Sequence, residues 1–221
     1  PKAGQWTGIQ VVPGGRIRLD YCDIGYASQG VSIQAGNENN CSIKHSRIHD
    51  CENEGVFAKN TNGLVVTANT IERNELGISI EKCSATIDTN IVRLNGTGPT
   101  DLGIQLKLNK PDKKSLRITR NFFGGDRLQG QQNCGLDTCF VKKGIVVDNT
   151  VANGDTLYIT ENTFKYIDQS GLEIRLPEEI AVGQAKSVIT VGAADQTQIH
   201  GNEFINVNCV FDFTAARQTT I

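Results

Sequence analysis

Seven glycines each open a short segment of alternating character: Gly8, Gly30, Gly55, Gly77, Gly103, Gly144 and Gly171. If these segments are strands, the fourth residue after each glycine points away from the apolar side. In chain order those residues are Val12, Gln34, Lys59, Glu81, Lys107, Asp148 and Arg175, and the last five alternate in sign. Brought side by side, they make one of two things. The first is a cross-strand ladder of ion pairs, worth a few tenths of a kcal/mol per pair. The second is a polar groove in which Lys107 and Arg175 act as base and carboxylate clamp beside Asp148 and Glu173. These four are the candidate catalytic residues, and the ladder is the simpler reading.

Other chemistry is sparse. His45, His49 and His200 show no pair with metal-ligand spacing on a helix, which predicts surface or corner histidines. No nucleophile motif, phosphate loop or dinucleotide fingerprint occurs. No acidic cluster has calcium-loop spacing, and Glu178 and Glu179 read as solvated surface. The seven cysteines include no Cys-x-x-Cys. Cys134 and Cys139 lie five residues apart in a polar stretch, where a small-loop disulfide is expected and would imply an oxidising compartment. Cys41 and Cys22 read as core positions.

What must position these residues is a repeat. Val66-x-x-Asn69-x-Ile71 returns around Asn90, Asn121, Asn162 and Asn202; two earlier copies carry Cys22 and Ser46 in place of Asn. Seven copies, 21 to 41 residues apart, interleave with the glycine-led segments. The shortest period, about 22 residues, suits a solenoid coil of at least two strands, stacked about 4.8 Å apart along its axis. Equivalent asparagines then lie one coil apart at a corner, where each amide can donate to one neighbour and accept from the other. Asn also tolerates the left-handed backbone that a tight corner needs. Asn69, Asn90, Asn121, Asn162 and Asn202 are therefore expected to be structural.

The Ile-x-x-Asn-x-Ile and Gly-Ile-x-Ile spacing resembles that of right-handed parallel β-helix proteins of the pectate-lyase-like superfamily. The opening Gln5-Trp6-Thr7-Gly8-Ile9 is similar to segments of bacterial secreted and surface members. The resemblance implies an all-β, right-handed parallel β-helix, here of about eight coils with long loops in the C-terminal half. It spans polysaccharide lyases, hydrolases and epimerases, and also tailspikes and adhesins. The paired aspartates of the hydrolases and the Asp-Pro-His motif of the epimerases are absent here. Lyases of the class use a Lys or Arg base with a cation or calcium; no cofactor is indicated by the residues themselves, calcium being the one ion the class would admit.

Composition narrows the classes. A net charge of −2 leaves no electrostatic footprint for nucleic acid. The longest apolar runs are far too short for a membrane-spanning helix. Residues 1–221 read as one domain, and the absence of Met predicts a piece cut from a longer secreted protein. The period is interrupted at residues 95–101, 109–114, 122–143 and 177–184, the last containing one short helical stretch. Trp6 is expected to close the first end of the core, while Phe211 and Phe213 would face outward on the last coil. One or both ends would then be covered by the parent chain or another copy.

These readings give a leading expectation and an alternative. The first is an extracellular or surface module, structural or carbohydrate-contacting, that can assemble end to end. The alternative is a polysaccharide lyase or hydrolase acting on an acidic glycan at the loop-bearing face.

Overall fold

The computed structural model describes residues 1–34, 40–95, 102–109, 115–124, 141–151, 156–175, 196–207 and 219–220. Its strands form three parallel faces. The first stacks β1 (Ile9–Val11), β4 (Val31–Ile33), β7 (Glu54–Lys59), β10 (Leu76–Glu81), β13 (Leu102–Asn109), β16 (Val141–Val151) and the last residues of β18 (Thr163–Arg175). The second stacks β2 (Arg18–Asp20), β5 (Ser42–Lys44), β8 (Leu64–Thr67), β11 (Ala85–Asp88), β14 (Ser115–Thr119), β17 (Thr156–Thr160), β19 (Gln196–His200) and β21 (Thr219–Thr220). The third stacks β3 (Asp23–Gly25), β6 (Arg47–His49), β9 (Thr70–Glu72), β12 (Ile91–Arg93), β15 (Phe122–Gly124), the first residues of β18, and β20 (Glu203–Val207).

Six coils are complete through the start of β18. The end of β18 opens a seventh with β19 and β20, and β21 adds one rung to the second face. Among the described residues the second face thus carries eight rungs and the first and third faces seven each, and the chain between coils lengthens after residue 95. No described residue is helical. The helical stretch expected at 177–184, the outward Phe211 and Phe213, and the Cys134–Cys139 pair lie outside the described residues.

The inward positions form continuous columns. Ile43, Val66, Ile87, Ile118 and Ile159 stack on the second face, and Ile24, Ile48, Ile71, Val92, Phe123 and Phe164 on the third, all buried. Phe123 and Phe164 stack at 5.1 Å. Cys41 is buried in this core, as its spacing predicted. Glycine recurs at the start of the first-face strands because the stack leaves no room there. A Cβ on Gly30, Gly77 or Gly103 would lie 2.4–2.5 Å from the next coil's glycine carbonyl oxygen. Trp6 does not close the core. It bridges Ala27 as an added rung and donates its indole N–H to the Gly25 carbonyl at 2.9 Å, with 43% of its surface exposed.

Candidate functional site

Every coil turns from the second face to the third through two consecutive residues. The first has a left-handed backbone: Tyr21, His45, Ala68, Thr89, Arg120, Glu161 and Gly201 all have φ between 46° and 65°. The second is the ladder position: Cys22, Ser46, Asn69, Asn90, Asn121, Asn162 or Asn202. The asparagines were expected to take the left-handed conformation themselves; the residue before each one takes it instead. That residue's side chain is thereby turned outward while the Asn amide stays in line with the axis.

The inward column is a continuous hydrogen-bonded ladder. Nδ2 of Asn69 donates to Oδ1 of Asn90 at 3.0 Å, and the step repeats from Asn90 to Asn121, Asn121 to Asn162 and Asn162 to Asn202. Each Oδ1 also accepts the backbone N–H of the preceding coil's ladder residue at 2.9 Å. The amides donate in addition to the core-strand carbonyls of Ile43, Val66, Ile87, Ile118 and Ile159. With Asn69, Asn90, Asn121 and Asn162 nearly fully buried, the whole polar capacity of the corner is spent internally.

A second ladder escaped the sequence reading. At the corner leading back to the first face, Nδ2 of Asn74 donates to Oδ1 of Asn95 at 3.0 Å, and the Cys51 N–H donates to Asn74. Again the residue before each is left-handed: Asp50, Arg73 and Leu94. The signal was present, since Cys51, Asn74 and Asn95 each follow a first-ladder position by five residues. Burial pushes the Cys51 thiol up to about 11, which makes it a packing group rather than a nucleophile.

The outward residues of the first four coils carry a dense charge network. Glu72, with only 3% of its side chain exposed, accepts from Arg47 at 2.8 Å and Arg93 at 2.9 Å, and pairs with Arg73 at 3.0 Å. Burial pushes the Glu72 carboxyl up, but the hydrogen bonds from Arg47 and Arg93 and the charge of Arg73 outweigh it, so it sits below the usual range. Arg73 also grips Asp50 through two N–H groups at 2.9 and 2.8 Å. That bond, opposed by burial and aided by His49, lowers Asp50 to about 2. His49 is not a surface residue as expected. It is buried between Asp50 at Nδ1 and Asp23 at Nε2, the latter at 2.8 Å, with Tyr26 edge-on to its ring.

At the first corner the outward column begins with two rings. Tyr21 and His45 stack at 4.9 Å and 13°, and Asp20 holds His45 Nδ1 at 2.8 Å. Tyr21 is 79% exposed. Beside the rings lies an open hollow of ≈ 290 Å³, lined among others by Asp23, Arg47, Ala68 and Thr70. It combines π-faces, a carboxylate, a guanidinium and a hydroxyl over a methyl floor.

The candidates from the sequence fall elsewhere. Register places Lys59, Glu81, Lys107, Asp148 and Arg175 in one column of the first face, as their spacing predicted. Lys59 and Glu81 form an ion pair at 2.9 Å, the geometry of a cross-strand ladder. Lys107 is half-buried. The side chains of Asp148, Glu173 and Arg175 lie outside the described residues. Glu173 is in register not with Lys107 but with Val146, which is fully buried and clusters with Leu76 and Leu102. That side of β16 is therefore covered at Val146, where strand alternation alone predicted solvent. Among the described residues no group of three His, Cys, Asp or Glu side chains is placed to hold a metal ion. They include no helix long and apolar enough to cross a membrane.

The family model for the right-handed β-helix region matches residues 2–204. The chain belongs to that family. Within this β-helix the match covers both ladders and the hollow. No curated protein and no solved structure matches the chain.

Proposed function

We propose that this β-helix is an extracellular or cell-surface module that contacts carbohydrate without cleaving it. The observation that carries the reading is the hollow edged by the Tyr21–His45 stack. Sugar recognition needs a flat π-face for the ring's C–H groups and a few fixed donors and acceptors for its hydroxyls. Both occur here within one corner. Binding of an oligosaccharide by the wild type, weakened at least tenfold in Tyr21→Ala with an unchanged melting temperature, is the expected result. A wild type that binds none of a broad glycan panel would refute it.

The oxidising location is a separate expectation. Non-reducing mass spectrometry should recover a peptide pair linked through Cys134 and Cys139, and two freely alkylated thiols there would argue against it. End-to-end contact between copies is supported by Ile9, Ile17, Leu19 and Cys22, which are only partly buried whereas their counterparts in later coils are enclosed. Scattering that shows a length independent of concentration would remove that part of the proposal.

A further inference from the structure

We propose that the space over Ala68 is a slot in which one ring of an uncharged sugar stacks against His45. The inference rests on the carbohydrate-contacting reading and adds to it the position and the charge class of the ligand.

Tyr21, His45, Ala68 and Thr89 occupy the same place in successive coils. Each one's backbone N–H donates to the next coil: Tyr21 to Lys44, His45 to Thr67, Ala68 to Asp88, Thr89 to Thr119. All four share the left-handed conformation, so their side chains leave the corner in the same direction. The ring spacing of 4.9 Å nearly equals the distance between coils, and a third ring would continue the column at residue 68. A methyl stands there instead. The ring column ends at His45, and the hollow of ≈ 290 Å³ runs beside the rings from Tyr21 to Ala68, where no ring covers it. This is near the lower end of small-molecule sites, roughly 300 Å³, and suits a single ring.

The charge of the lining selects the ligand. Arg47 gives Nε and Nη2 to Glu72 at 3.0 and 2.8 Å, and its Nη1 stands 3.8 Å from Asp23. His45 is already paired with Asp20. Asp23 lines the hollow with 66% of its side chain exposed, and Asp20, outside the lining, is bonded to His45 with 56% exposed. An incoming uronate or phosphate therefore meets one carboxylate directly, a second beside the imidazole, and a cation that is already engaged. Neutral hydroxyls fit this lining better. One can donate to Asp23 Oδ2, another can accept from Arg47 Nη1, and Thr70 can do either.

Ala68→Tyr tests the slot by filling it. Rings are already carried in the same backbone conformation at residues 21 and 45, so the variant is expected to keep the wild-type melting temperature. A panel of neutral hexose and N-acetylhexosamine tetrasaccharides and a galacturonate tetramer serve as probes. The expected result is binding of a neutral tetrasaccharide, at least tenfold weaker binding of the galacturonate, and at least a tenfold loss in Ala68→Tyr. If Ala68→Tyr misfolds, the His45 imidazole resonances of the wild type still decide, because the bound sugar must shift them. Neutral binding that survives Ala68→Tyr and leaves His45 unshifted would overturn the slot while the broader reading stood. Tighter galacturonate binding, or displacement of the sugar by an aromatic peptide, would overturn the ligand class. No binding by any probe would overturn both readings.

Discussion

At the first corner two neighbouring residues per coil live under opposite constraints. The inward one is Cys, Ser and then Asn five times; the outward one is Tyr, His, Ala, Thr, Arg, Glu and Gly. The inward position must match its copies above and below, since each amide bonds the next at 3.0 Å and faces no water. The outward position shares only a backbone conformation, and its side chain is free to specialise. Regularity in this fold thus marks what holds the coils, and irregularity marks where contact with other molecules can be built.

The contrast can be broken by substitutions on either side of it. The largest loss is expected at Glu72→Ala, an outward residue that the arginine cluster has buried. Removing it strands Arg47, Arg73 and Arg93 against one another, and about 3 kcal/mol is expected at the low end of the range for a broken buried pair, because the guanidiniums are partly solvated. Urea unfolding measures it; a change below 1 kcal/mol would show the cluster to be incidental. Next come Asn121→Ala and Asn162→Ala, each expected to cost about 1–3 kcal/mol by leaving buried partners unpaired. An unchanged melting temperature would contradict the ladder.

Acidification should act on the same network. Asp50 is lowered to about 2 from an ordinary value of 3.8. A depressed carboxylate contributes its stability above the unfolded value and loses it as the pH falls through the folded one. Between pH 4 and 2 a loss on the order of 1–2 kcal/mol is expected from Asp50, after allowance for solvent screening, and Glu72 adds in the same direction. Asp50→Asn should flatten that part of the profile. The smallest stability effects belong to outward residues without partners in the network: Thr89→Ala should stay within about 0.5 kcal/mol of the wild type.

The inward half of this picture was legible in the sequence. The Asn spacing located the ladder, the glycines located the first-face strands, and counting four residues from each glycine found the true register of Lys59, Glu81, Lys107, Asp148 and Arg175. The second ladder was missed because only Asn74 and Asn95 carry it, too few to announce a period. The hollow was missed for a stronger reason: its lining comes from three successive coils, around residues 21–23, 45–47 and 68–70, which lie far apart in the chain. The burial of His49 and Glu72 was hidden likewise, since much of it comes with partners one coil away, Asp23 for His49 and Arg47 and Arg93 for Glu72.

Ala68 and Asn69 are adjacent in the chain and stand on opposite sides of that division. Measuring urea unfolding and oligosaccharide affinity for Ala68→Tyr and Asn69→Ala tests the division directly. Ala68→Tyr is predicted to unfold with the wild type but lose at least tenfold in affinity, and Asn69→Ala to lose about 1–3 kcal/mol of stability while binding as the wild type does under conditions where it is folded. Equal losses of stability in the two variants, or full affinity in Ala68→Tyr, would contradict it.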